Sequence, residues 1–589
     1  MRSLSVYLKQ YRKESILAPL FKLLEALFDL LVPLVVARMI NSGTAEDGSL
    51  RAVVLCFAGL LAMAVAGLVC SVVAQLFAAR ASAGFGAAVR QALFDHIQAL
   101  SFSQLDDLGS DTLITRLSDD VNQVQNGLNM GLRLLLRSPF IVLGAMILSF
   151  TIDLRCALVF VVTIPILFAV VFFLMERSIP LFGKVQAGLD RVTALTRETL
   201  TGTRVIRAFC REQQATEEFD ANNRALTQLN LLVGRLSALM NPLTYVLINF
   251  ATVLLIRQAA VRVDLGALPQ GQVVALYNYM LQIIVELIKL ASLIITLNKS
   301  LACARRVAGV LALTPDLSAP AEEAAAPSTS RPHAPALAFR DVSFTYRGAG
   351  APSLSGISFT AAPGQTIGII GGTGSGKSTL VHLIPRFYDA DSGSVELDGI
   401  PVQALSRRSL HQKVGIVQQH AALFQGSIRE NLRWGCAQAD DAALWQALTL
   451  AQARDVVEGK PGGLDFVLEQ NGRNLSGGQR QRLAIARTLV QKPEILILDD
   501  SSSALDFATD AALRKAIHSL KGTTTFVVSQ RISCIQQADQ ILVLSNGRLV
   551  GSGTHASLLK ICPVYQEIFD SQFPGERSAA ARDIREVLA

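Results

Sequence analysis

Three short stretches hold residue types that together handle a chain of phosphates. GGTGSGKS, Gly371 to Ser378, follows the apolar run TIGII and precedes a helix-like segment. Its glycines let backbone N–H groups turn inward around phosphate oxygens, and a helix start adds partial positive charge. Lys377 would reach the β- and γ-phosphates and Ser378 would ligate Mg²⁺. Gly371, Gly372, Thr373, Gly374, Ser375, Gly376, Lys377, Ser378 and Thr379 are therefore candidate ATP contacts. In ILILDDSSSALD (495–506), an apolar strand ends in Asp499 and Asp500, the arrangement that delivers carboxylates to a magnesium–nucleotide site. LSGGQRQRLAIAR (475–487) puts a Ser-Gly-Gly turn at the start of a long helix, a second place for an anion. One domain seldom needs two phosphate-binding helix starts about 100 residues apart. Two domains docked head to tail need both, because each nucleotide takes one from each partner.

LSGGQ after a P-loop and before ILILDD resembles the ATP-binding-cassette (ABC) family, and the N-terminal half resembles its exporter branch. That resemblance implies Mg²⁺-ATP as cofactor and a role for further residues. Tyr346 in VSFTYRG matches the aromatic that stacks on adenine. Gln419 in VGIVQQHAALFQGSIRENL matches the glutamine that contacts Mg²⁺ and senses the transmembrane half. Asp499 matches the Mg²⁺-organising acid, and Asp506 in SALD the loop that signals across the dimer. Leu475, Ser476, Gly477, Gly478 and Gln479 match the signature offered to a partner's ATP.

Three positions depart from the family pattern. The residue after the Mg²⁺ acid is usually Glu, acting as base or water-positioner; here it is Asp500, one methylene shorter. Misplacing a reacting group by about 1 Å can cost about 100-fold. Gln530, in TTTFVVSQRISCI, stands where a histidine is usual. An amide still hydrogen-bonds a γ-phosphate but lacks the titratable proton of imidazole. His420 stands at an acid's place. Asp500, Gln530 and Gln419 are the candidate catalytic residues, and Ser378, Gln419 and Asp499 the candidate Mg²⁺ ligands. Two weakened groups at one site beside an intact signature predict a degenerate site that holds ATP and turns it over slowly. The partner predicted is a second, different half-transporter chain bearing Glu and His. The alternatives are a homodimeric exporter with slow ATPase, and an ATP-gated regulatory or channel-like cassette protein.

The elements that position these residues follow from hydropathy. The chain has 589 residues, is 51% hydrophobic and has a formal net charge of +7. Six apolar runs, near 16–40, 51–78, 129–151, 155–177, 237–261 and 272–298, are each long enough for a bilayer core of about 30 Å. The fold class predicted is a six-helix, all-α membrane domain of ABC exporter type (1–311) and an α/β P-loop nucleotide-binding domain (337–570). A Pro-, Ala- and Ser-rich linker (312–336) joins them, and a polar tail (571–589) follows. Arg2, Lys9, Arg12 and Lys13 precede the first run, and the loop after it carries only acids. Positive charge therefore places the N-terminus and the nucleotide-binding domain in the cytoplasm, with the spans in a bacterial-type inner membrane. Segments 79–128 and 178–236 are longer than turns require; they predict helices that extend into the cytoplasm. Their tips, near 101–109 and 201–209, resemble the coupling helices that press on the nucleotide-binding domains. Residues 3–13 predict a helix on the membrane surface.

The basic balance is accounted for by cytoplasmic loops, and no basic stripe with interleaved aromatics points to nucleic acid. The eight cysteines form no CxxC pair and no zinc spacing, so reduced thiols are expected. The start of the chain reads as no cleavable signal, and no peptidase domain precedes the first run, against a leader-processing exporter. Polar residues on the last two runs mark a cargo cavity: Asn241, Asn249 and Arg257 on the fifth, Tyr277, Asn278, Gln282 and Glu286 on the sixth. Glu286 and Lys289 share a helix face, so they either neutralise each other or face cargo. The apolar remainder suits drugs, lipids or peptides alike.

Overall fold

The computed structural model describes residues 4–44, 50–317, 334–501 and 504–574, without the side chains of positions 171, 175, 240 and 241. Most of the expected linker and tail, and Ser503 of SALD, lie outside the described residues. The chain forms two compact units. One comprises residues up to Gln98 with Asp111–Leu313; the other joins Ala99–Ser110 to Thr314 and the residues beyond it. The first hairpin tip, expected to press on a nucleotide-binding domain, thus groups with the second unit.

The first unit is helical. A short helix, Leu4–Tyr11, leads into α1 (Arg12–Thr44), α2 (Leu50–Ala99) and the tip helix α3 (Phe102–Leu108). The chain returns through α4 (Ser110–Ile152), which contains a wider-wound stretch at Arg116–Asp120. After it come α5 (Leu154–Thr201), the second tip α6 (Thr203–Ala208), α7 (Glu212–Asp264) and α8 (Gln270–Leu311). Among the described residues, five helices are long and apolar enough to cross a membrane: α2, α4, α5, α7 and α8. The sixth long helix, α1, covers the first expected run and carries Lys22, Glu25 and Asp29.

Those charges do not stand alone. Arg137 on α4 donates to Asp29 at 2.9 Å and to Glu286 on α8 at 2.7 Å, with Glu25 3.8 Å away. Lys22 pairs with Glu25 one turn away. With Lys289, which pairs with Glu286 at 2.9 Å, the groups form one neutralised knot tying α1, α4 and α8, the usual condition for ionisable residues in lipid. The tight TID turn is closed by Asp153, which caps α5 at the Cys156 N–H (2.9 Å) and pairs with Arg262 of α7 (2.8 Å).

The second unit is built on two sheets. β1 (Leu337–Phe344), β2 (Leu354–Ala361), β4 (Ser392–Leu397) and β5 (Ile400–Pro401) form an antiparallel sheet in the order β2-β1-β4-β5. The larger sheet holds β3 (Thr366–Gly371), β6 (Val414–Val417), β7 (Ile495–Asp499), β8 (Thr524–Val528), β9 (Gln540–Ser545) and β10 (Arg548–Gly553). Its order is β10-β9-β3-β8-β7-β6, parallel except for β10. The near-continuous apolar runs IGII, ILIL and FVV are what strands covered on both faces require. Val528 pairs with both Ile369 and Asp499, so the carboxyl ends of β3, β7 and β8 finish at one edge. That edge is where open α/β sheets bind ligands. α9 (Lys377–Leu383), α10 (Gly477–Val490) and α11 (Phe507–His518) start from loops around it.

Candidate nucleotide site

β3 delivers the chain into the glycine loop at this edge. A Cβ on Gly371 would lie 2.1 Å from the Leu544 carbonyl oxygen, and Gly376 has φ +95, so both positions need glycine. Gly372 and Gly374 face open space. Lys377 is buried, and its ammonium donates to the carbonyls of Gly371 (3.0 Å) and Gly372 (2.7 Å) and to Ser375 Oγ (3.4 Å). Burial pulls its pKa down, and the charges of Asp500 and Asp499 pull it back up. The Ser378 hydroxyl donates to Asp499 Oδ1 at 3.0 Å. The hydroxyl and carboxylate oxygens proposed for the metal thus lie together, a hard-oxygen set that fits Mg²⁺.

Asp500 follows with φ +45, a left-handed conformation that Asp adopts more readily than most residues. Its N–H donates to the Val528 carbonyl (3.0 Å), and its carboxylate accepts from Gln419 Nε2 at 3.4 Å. Burial raises its pKa, and neighbouring Asp499 raises it further, against Lys377, Arg531 and Gln419. Gln530 is exposed, and its backbone carbonyl accepts from Gln572 (2.6 Å). Tyr346 stands edge-on to Tyr388 (5.3 Å) and donates to Thr379 Oγ1 (3.2 Å). The structure therefore brings Lys377, Ser378, Gln419, Asp499 and Asp500 to one place, with Tyr346 beside Thr379.

The signature is built differently. Ser476 caps α10 with a reciprocal pair: its Oγ accepts from Gln479 N–H (3.3 Å), and its own N–H donates to Gln479 Oε1 (3.1 Å). Leu475 is anchored in the core, Gly478 and Gln479 are half-buried, and Ser476 and Gly477 are exposed. Asp506 caps α11 through Thr509, which holds its carboxyl below the usual range.

Comparison with known proteins agrees with this geometry. Residues 15–287 match the ABC transporter transmembrane region and residues 354–503 the ABC transporter domain. An uncharacterized ABC transporter ATP-binding protein of Mycobacterium tuberculosis is 36% identical over 572 residues, covering 96% of this chain and 97% of its own length. The chain belongs to the ABC transporter family. An ATP-dependent lipid A-core flippase of Syntrophus aciditrophicus is 30% identical over 490 residues, 83% of this chain and 80% of the flippase. The fold matches a bacterial Atm1-family ABC exporter with ATP bound at TM-score 0.79 and 23% identity, covering 95% of this chain and 98% of that one. As an ABC transporter, the chain is a multi-pass membrane protein with an ATPase domain coupled to transport.

The polar residues expected in the cavity of this ABC transporter have diverse surroundings. Asn249 and Tyr277 are exposed, Asn278 is half-buried, and Asn241's side chain is outside the description. Gln282 donates to the Asp29 carbonyl (3.0 Å), and its Oε1 is buried without a hydrogen-bond partner. Glu286 is buried at 3% exposure and engaged by Arg137, Lys289 (2.9 Å) and Ser138 (2.7 Å). The Glu286–Lys289 pair read from the helix face exists. Its third member, Arg137, lies 149 positions away, and no local pattern signals it. Sequence reasoning also missed His382, whose Nε2 lies 3.5 Å from Asp499 Oδ2. Its one signal is spacing: His382 is four residues after Ser378, on the same face of α9.

Proposed function

We propose that this chain is one half of a heterodimeric ABC exporter whose own P-loop holds ATP and cleaves it slowly. Its signature completes the faster site on a partner chain that bears Glu and His. The observation that carries the reading is Asp500 in a left-handed backbone, tied by Gln419 and followed across the sheet edge by Gln530, next to an intact capped LSGGQ. A base shortened by one methylene and an amide in place of imidazole both slow proton transfer, while neither weakens the phosphate cradle. Ser378, Asp499 and Gln419 would hold Mg²⁺, which would screen the phosphate charge at that spot. ATP closes the two soluble domains around both nucleotides. The hairpin tips transmit closure, and the spans open outward, the N-terminus and soluble domain lying in the cytoplasm of a bacterial inner membrane. The cargo is hydrophobic or amphipathic, a drug, lipid or peptide; the flippase relatives act on a lipid by name, which supports the lipid class.

The test begins with purification of the tagged chain and identification of any protein present at equal stoichiometry. Replacing the partner's catalytic Glu should remove most ATPase, whereas Asp500→Asn should change it little. Equal losses, or a chain that pairs only with itself and hydrolyses briskly, defeat the reading. Uptake into inverted vesicles against a gradient separates a pump from an ATP-gated pore.

A further inference from the structure

The tip helix α3 meets its own soluble unit at two consecutive residues. Phe102 lies on the Phe387 ring, centroids 4.4 Å apart, and the Tyr388 hydroxyl donates to Asp106 at 2.8 Å. Gln104 caps the tip and donates to the Thr314 carbonyl (2.7 Å), and Arg347 reaches Asp107 (3.3 Å). Phe387 in turn touches His382, ring to ring at 5.7 Å, and its N–H donates to the His382 carbonyl at 3.1 Å. The turn that brings Phe387 back beneath α9 needs Arg386 at φ +55, and the Arg386 guanidinium is forked on Asp389 (2.8 and 3.0 Å). His382 then stands 3.5 Å from Asp499 Oδ2, while Asp499 Oδ1 accepts from Ser378. The carboxylate thus accepts from Ser378 and has the His382 imidazole 3.5 Å away, one turn further along α9, and that imidazole lies against the ring that carries the tip.

We infer that His382 is a positioning residue for the Asp499 carboxylate, and that Phe387 links its placement to the tip helix α3. The inference rests on the reading of Asp499 as the metal-organising acid. A bulky ring wedged between an aromatic platform and a carboxylate oxygen fixes where that oxygen points. Leaning the tip on Phe387 turns the imidazole, and the imidazole turns the acid. Ser378 alone leaves the carboxylate free to rotate about its single hydrogen bond. Groups that orient a metal ligand from behind typically change metal affinity by about 10- to 100-fold when removed. Tyr388, the neighbouring tip contact, packs on Tyr346.

The experiment measures Mn²⁺ binding with ATP present, by electron paramagnetic resonance, on the full-length chain in its assembled transporter. His382→Leu should weaken Mn²⁺ at this chain's site about tenfold. His382→Gln, which keeps an N–H donor, should restore most of it. Phe102→Ala, on the tip, should reproduce part of the loss, and Phe102→Ala/His382→Leu should be no weaker than His382→Leu alone, as coupled positions behave. ATP affinity without metal should be the same in all variants, which also reports an intact fold. Unchanged Mn²⁺ affinity in His382→Leu overturns the inference, as do tip and histidine losses that multiply, or a parallel loss of metal-free ATP binding. Asp499→Asn separates the two layers. If it leaves Mn²⁺ binding intact, the assignment of Asp499 fails; if it abolishes binding while His382→Leu does not, only the role of His382 fails.

Discussion

The P-loop edge and the signature edge of the soluble unit are made in opposite ways. At the P-loop, Ser375, Lys377, Thr379 and Asp499 are buried and satisfied by the chain's own groups. At the signature, Ser476 and Gly477 are exposed, and the hydrogen bonds of Ser476 go only into its own cap. The first edge is finished before a nucleotide arrives. The second presents an exposed helix start, which on the proposed reading meets the phosphate of a partner's nucleotide. On that reading, a monomer grips one nucleotide and offers half a grip for another.

The largest effect should come from breaking the unfinished edge. A side chain on Gly477 meets nothing within 4 Å, and an acid there suits the helix dipole, so Gly477→Asp should fold normally. Coupled ATPase of the assembled transporter should nevertheless fall at least about 100-fold, the scale of losing an oriented donor at a reacting phosphate. Retained activity would mean that the signature faces nothing. Next in size is Lys377→Ala, which removes a cation from the finished edge. ATP affinity at this chain's site should drop roughly 10- to 100-fold, read by equilibrium binding, because a charged hydrogen bond contributes about 1.5–3 kcal/mol. Affinity at the partner's site should stay put.

Asp500→Glu with Gln530→His sharpens the contrast from the other side. Turnover at this site should rise about tenfold in single-turnover measurements, less than the general-base range of about 100-fold and above, because φ +45 suits Glu less than Asp. No gain would show that something else limits cleavage. The smallest effect belongs to Asp506. Asp506→Ala should lower the melting temperature slightly through the lost α11 cap, while Asp506→Asn keeps the cap. Any loss of coupling in the asparagine variant then reports contact with the partner. Because the cap depresses the Asp506 pKa, its stabilisation is complete above the ordinary carboxylate value and fades as pH falls through the lowered one; thermal melts at acid pH check this.

Much of this was legible in the linear chain because the signals are local. The glycine loop, the ILILDD strand and the LSGGQ cap each lie within a dozen residues, and the structure places the expected runs in long helices. What escaped is non-local. Arg137 lies inside the expected run 129–151, and its partners Asp29 and Glu286 are 108 and 149 positions away. Likewise, SFSQLDDLG resembles a coupling helix, but nothing in it says that Phe102 will rest on Phe387. His382 was visible only as a histidine on a helix face, and its acid comes from a strand more than 100 positions later.

Arg137 also restricts which parts can move. Prising α1, α4 and α8 apart within lipid would strip Arg137 of Asp29 and Glu286 and leave it bare in hydrocarbon, a cost of several kcal/mol, while Glu286 would keep only Lys289 of its own helix. On the proposed transport cycle, these three rods travel as one block through each stroke.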